Sequence, residues 1–114
     1  MRREAKKLLY DICVAADYLE QFVVGKSLHD FGEDELLKSA VERKFEIIGE
    51  ADTQLSRLDP ETVGRISEYR RIISLRNILV HGYTMVDDRI VWDLLEIKLP
   101  MLRKEAQDLL DEPL

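Results

Sequence analysis

The sequence predicts an all-α fold, an up-and-down bundle of four to five helices whose last member is kinked by a proline. Three observations carry the prediction. Apolar residues recur at three- and four-residue spacings along most of the chain, the period of helices with one buried face. Alternation of apolar and polar residues, the mark of a half-buried strand, never runs to a useful length. Only 5 Gly and 3 Pro interrupt 114 residues that are 46% hydrophobic and 35% charged, which suits a helical globule and excludes collagen-like, low-complexity and disordered chains. That length is one domain's worth, so residues 1–114 are expected to form a single domain.

The first helix is expected from about Arg3 to Val24, where Leu8, Leu9, Ile12, Ala15, Ala16, Leu19 and Phe22 form one stripe that stops at Gly25. A loop, Lys26 to Gly32, follows. The second helix runs from about Glu33 to Leu58 with Leu37, Val41, Phe45, Ile48, Ala51 and Leu55 on one face, and Glu33, Asp34 and Glu35 suit its positive N-terminal end. Asp59-Pro60-Glu61 is a helix-start signature, an acid at the N-cap and a proline at the first helical position, where no N–H is needed. The third helix starts there, is broken near Gly64 to Ser67, and ends at about His81 because Gly82 is a good C-terminal stop. The last helix starts after Asp87 or Asp88; Pro100 interrupts it, yet the apolar pattern resumes with Met101, Leu102, Ala106, Leu109 and Leu110, so a kink or two abutting helices are expected. Stripes this wide leave apolar surface that a second copy of the chain can cover.

No apolar run approaches the roughly 18 residues of a membrane span. The N-terminus reads as an amphipathic helix rather than a signal peptide, so the expected location is cytoplasmic, with no membrane partner. The single cysteine, Cys13, lies on the apolar stripe and reads as a small core residue. With 2 His and 1 Cys, a transition-metal site would need both histidines together, and no metal or other cofactor is expected.

The net charge of −6 argues against broad attraction to nucleic acid, but the charge is unevenly placed. Arg65, Arg70, Arg71 and Arg76 face a single acid, Glu68, between Arg65 and Tyr83, a local +3, while the remainder of the chain carries −9. This is a basic segment on an acidic body, as a confined anion site requires. Within it, Arg76-Asn77-Ile78-Leu79-Val80-His81-Gly82-Tyr83 is the most informative stretch. Asn77 and His81 share a helix face, while Arg76 lies about 140° around the axis from His81. Arginine's length, unwinding at Gly82 or a second copy of the chain can still bring guanidinium and imidazole to one anion. An imidazole titrating near neutrality can take a proton from a 2′-hydroxyl or give one to a leaving 5′-oxygen, and a guanidinium can neutralise phosphorane oxygens. From spacing alone, a helix C-terminus stabilised by a partly charged His explains the same residues.

Arg76 to Tyr83 resembles the Arg-x-x-x-x-His-x-Tyr motif of HEPN-domain proteins, and more closely the HepT toxins of the HepT/MNT toxin–antitoxin systems. The resemblance takes in Ala40 to Ala51, Val86 to Trp92 and Leu99-Pro100 as well. It implies a HEPN-like helical ribonuclease that acts as a homodimer, with the Arg and His of both subunits facing RNA in a composite cleft. Carried over, Arg76 and His81 are the catalytic pair and Asn77 a supporting polar residue. Tyr83 matches the tyrosine that MNT-type nucleotidyltransferase antitoxins modify with AMP, which would place bulk and negative charge where the RNA backbone sits. Arg70 and Arg71 are the expected RNA-binding residues. The alternative is a non-catalytic helical module that binds a nucleotide or docks a partner. A third, purely structural reading makes the motif a helix cap in a dimerising bundle, and is favoured if Arg76 is buried against an acid of its own subunit.

Glu42, Glu46 and Glu50, at four-residue steps beside Arg43, read as a solvated charged face, with one carboxylate orienting a cleft residue as the sharper alternative. Trp92 and Phe45 read as core or interface anchors, His29 as a loop residue beside Asp30, and Ser74 as no serine nucleophile, since no nucleophile-elbow sequence surrounds it. Gly49, inside the second helix, costs about 1 kcal/mol relative to Ala and permits close helix approach.

Overall fold

The structure, a computed structural model, describes residues 1–82 and 86–113. Helix α1 spans Arg3–Val23, α2 Leu28–Glu33, α3 Glu35–Leu58, α4 Pro60–Val63, α5 Tyr69–His81, α6 Asp88–Asp93 and α7 Leu99–Leu110, with a π-helical stretch at Leu94–Lys98. Among the described residues there is no strand, and no helix is long and apolar enough to cross a membrane.

The expected stripes form the core. Leu9, Ile12 and Leu19 of α1, Phe45, Ile48 and Leu55 of α3, Ile72 of α5 and Leu99, Leu102 and Leu109 of α7 are fully buried. Each such side chain contributes about 1.5–3 kcal/mol through removal from water. Cys13, Phe45 and Trp92 are buried with them, and the Trp92 ring lies 5.6 Å from that of Phe31. Helix α3 packs between α1 and α5, and α1 packs between α3 and α7. The molecule is accordingly flattened, 44 × 30 × 18 Å, and α5 rests chiefly on one neighbour.

Two stretches differ from expectation. The predicted loop after Gly25 contains α2, because Ser27 and Asp30 form a capping box: Ser27 Oγ accepts from the Asp30 N–H at 3.1 Å and Asp30 Oδ2 accepts from the Ser27 N–H at 2.9 Å. The pattern Ser-x-x-Asp announces that helix start, but too few apolar residues follow it to show a period. The last helix turns through a π stretch just before Pro100. The proline has no N–H to give, and its ring would crowd the carbonyl four residues back. Widening the turn lets the Leu99 N–H reach the Leu94 carbonyl, five residues back, so α6 and α7 join without losing their common apolar face.

Candidate active site

Helix α5 carries the basic segment and contains no acidic residue. Its start is fixed from outside. Glu105 of α7 accepts from the Ser67 N–H at 3.1 Å and from the Ser67 hydroxyl at 2.9 Å. Glu68 then takes a left-handed conformation, φ 65°, rare for a residue with a Cβ. Its carboxylate lies 3.3 Å from Arg71 and 3.8 Å from Lys98. The helix ends as Gly82 predicts: φ is 68° and its N–H bonds the Ile78 carbonyl at 3.0 Å.

The depth at which α5 seats on α3 is set at Gly49. A Cβ at that position would stand 2.3 Å from the Cβ of Arg76 and 3.0 Å from the Ile72 carbonyl oxygen, so only a glycine admits this crossing. One residue further along α3, Glu50 Oε2 lies 2.8 Å from Arg76 Nη2. Of the carboxylate row on α3, then, Glu46 pairs with exposed Arg43 at 3.3 Å as a solvated face would, whereas Glu50 orients the arginine of the motif. The row itself was visible in the sequence; which carboxylate meets Arg76 depends on how two helices cross.

The second contact of Arg76 closes the angular gap seen in the sequence. Its Nη1 donates to Asn77 Oδ1 at 3.1 Å, which draws the guanidinium toward the face that Asn77 shares with His81. Asn77 and His81 are exposed, and the Arg76 side chain is 29% exposed. The arginine is therefore paired with an acid of its own chain but open to solvent. It retains N–H donors beyond the two used, enough for an incoming anion. His81 stands in the last turn, about 7.5 Å along the axis from Arg76. Tyr83 lies outside the described residues.

The four arginines of the segment divide. Arg65 is engaged by Glu112 in a two-pronged contact at 2.6 and 3.3 Å, and that carboxylate holds it firmly protonated. Arg71 faces Glu68 and, at 3.8 Å, Asp93. Arg70 lies over the Tyr69 ring at 5.5 Å and donates from Nε to the Tyr69 hydroxyl at 3.0 Å.

A cavity of about 700 Å³ lies beside the Arg76–His81 pair rather than over it, between α2, the start of α3, the end of α5 and the start of α6. Its wall carries Glu33, Glu35, Glu42, Asp87 and Asp88 against Lys38 and Arg89. Burial, then the nearby carboxylates, push the Glu42 carboxyl above its usual range. Such a cavity repels phosphate. Among the described residues no group of three or more His, Cys, Asp or Glu is placed to hold a metal ion.

Comparison with known proteins matches residues 12–109 to the sequence profile of the family described as Ribonuclease HepT-like. A Thermococcus cleftensis protein provisionally named ribonuclease HepT is 33% identical over 113 residues, covering 96% of this chain and 98% of that protein. A Methanocaldococcus jannaschii protein with a provisional RNase name is 29% identical over 93% of this chain and 96% of its own length. A third, from Caldanaerobacter subterraneus subsp. tengcongensis and likewise provisionally an RNase, is 32% identical over 91% of this chain and 92% of its own. No solved structure matches the chain closely enough to count as a relative.

Proposed function

This chain belongs to the HepT-like ribonuclease family, and from that premise we propose that it is a metal-independent RNA endonuclease whose catalytic pair is Arg76 and His81. The observation that carries the proposal is the placement of Arg76, Asn77 and His81 at the open half of an acid-free helix, with the guanidinium turned toward the imidazole's face by Asn77.

The 2′-oxygen of one ribose attacks the adjacent phosphorus while the bond from phosphorus to the 5′-oxygen breaks, leaving a 2′,3′-cyclic phosphate and a 5′-hydroxyl. One imidazole accepts the 2′-hydroxyl proton and another donates to the leaving 5′-oxygen. A homodimer with both active helices on one cleft supplies two imidazoles for these roles. Its interface would cover Ile78, Val80 and Ile90, which are 39%, 51% and 50% exposed. Arg76 neutralises the phosphorane oxygens, and Glu50 and Asn77 fix its position.

In this reading the protein is the toxin of a cytoplasmic type II toxin–antitoxin pair, restrained by a nucleotidyltransferase antitoxin that transfers AMP to Tyr83. The test is cleavage of RNA in excess EDTA with a cyclic phosphate product. His81→Ala should lower the rate by about 10²–10⁴-fold without loss of fold, because the side chain is exposed. Cleavage lost on chelation, or retained by His81→Ala, overturns the proposal. The Arg76–Glu50 pair meets one condition of the helix-cap reading, an acid of the same chain, but not the other, since the arginine is open to solvent; the second reading kept is a non-catalytic binding module. That reading requires that no cleavage is ever seen and that His81→Ala leaves binding to a nucleotidyltransferase partner intact.

A further inference from the structure

The buried side of α5 is formed by Ile72 and Leu75, with half-buried Leu79 beside them. At about 100° per residue, the side diametrically opposite carries Arg70, Ser74, Asn77 and His81 within a sector of roughly 60°. All four are exposed. All four carry hydrogen-bond donors and none is a carboxylate, on a chain with 23 acids against 17 bases. The row is about 16 Å long at the rise of an α-helix. At the ~3.4 Å per nucleotide of a stacked strand, it spans roughly five nucleotides. The cavity beside the site carries five carboxylates against Lys38 and Arg89, which disfavours phosphates there and leaves the helix row as the less acidic path.

We propose that Ser74 and Arg70 extend the active site into a track that holds the phosphates next to the scissile one, so that the preferred substrate is a single strand of about five or more nucleotides rather than a dinucleotide. The proposal rests on the ribonuclease reading above. It also separates the two arginines expected to bind RNA. Arg70 stands on the track, whereas Arg71 lies about 90° from its middle and is shared between Glu68 and Asp93.

The experiment measures binding of 2′-O-methyl oligonucleotides of two to eight residues, which lack the attacking hydroxyl and cannot be cleaved. The proteins compared are the wild type, Ser74→Glu, Arg70→Gln, Arg71→Gln and Ser39→Glu, the last adding the same charge on an exposed position of α3. Wild-type affinity should rise with length up to about five residues. Ser74→Glu and Arg70→Gln should each weaken a hexamer by about fivefold or more and a dinucleotide by less than about twofold, and Arg70→Gln should reduce the salt slope by about one. Arg71→Gln and Ser39→Glu should stay within about twofold of wild type at every length. Equal losses for Ser74→Glu and Ser39→Glu, equal losses for the two arginines, or affinity independent of length would each overturn the track. Length-dependent binding by a wild-type protein that cleaves no RNA would refute the ribonuclease reading and leave the track standing. RNA cleavage that is indifferent to Ser74→Glu would do the reverse.

Discussion

Gly49 of α3 and Arg76 of α5 touch at the helix crossing: a Cβ on Gly49 would fall 2.3 Å from the Cβ and 2.9 Å from the Cγ of Arg76. Those atoms lie at the root of the side chain, where rotation cannot relieve a clash, so α5 must move to admit any larger residue. The glycine thereby sets where the motif arginine stands, one residue before the carboxylate that holds it.

Gly49→Ala should lower the unfolding free energy by up to about 2 kcal/mol, since overpacking of about 1–3 kcal/mol is offset by only the ~1 kcal/mol gained in helix propensity. RNA cleavage should fall further than the folded fraction does. Denaturant unfolding and a cleavage assay on the same preparation distinguish the two losses; unchanged stability would show that α5 yields freely.

Glu50→Gln tests the carboxylate's role. The pair is open to solvent, 29% and 44% exposed, so its loss should cost under ~1 kcal/mol in a melt. The rate constant should nevertheless drop about tenfold or more, because a guanidinium displaced by even 1 Å no longer meets the phosphorane. KM should not rise, since the change removes a negative charge near the RNA. A KM effect with intact kcat would assign Glu50 to binding alone.

Asp52 should make the fold less stable as pH rises. The residue is fully buried on α3, neither carboxylate oxygen has a hydrogen-bond partner among the described residues, and burial raises its pKa well above the ordinary 3.8. The folded state therefore holds this proton more tightly than the unfolded chain. Stability from this group is complete below pH ~4 and is lost above it, at up to about 1.4 kcal/mol per pH unit until the folded-state pKa is passed. Asp52→Asn should remove that slope, so the variant's melting temperature should gain on the wild type from pH 5 to 8. Parallel curves would mean that the carboxyl finds a partner in solution.

The proposed modification by an antitoxin makes a prediction of its own. Co-expression with a nucleotidyltransferase of the antitoxin kind should add the mass of one or more AMP groups, and Tyr83→Phe should abolish the additions. Adducts that persist in Tyr83→Phe would move the modification to another hydroxyl.

Much of this architecture is written in local patterns. The stripes of α1 and α3 appear within a residue or two of their expected ends, since each is long enough for its period to stand out. Asp59-Pro60 begins a helix and Gly82 ends one as their backbone preferences require. Helix α2 escaped notice because six residues cannot display a period, and the π stretch escaped because a proline states that the ladder must change without stating how. The Arg-x-x-x-x-His spacing marks the candidate site, but it leaves Arg76 and His81 about 140° apart.

What the sequence by itself determined is the helical class, the core-facing residues and the helix that carries the basic motif, because periodicity, caps and charge are properties of neighbours along the chain. Only the tertiary structure decided that Gly49 admits α5 to within contact distance, that Glu50 rather than Glu46 holds Arg76, and that Arg65 and Arg71 are engaged by acids elsewhere. These depend on the angle and depth at which separate helices pack, and many residues distant in sequence set those together.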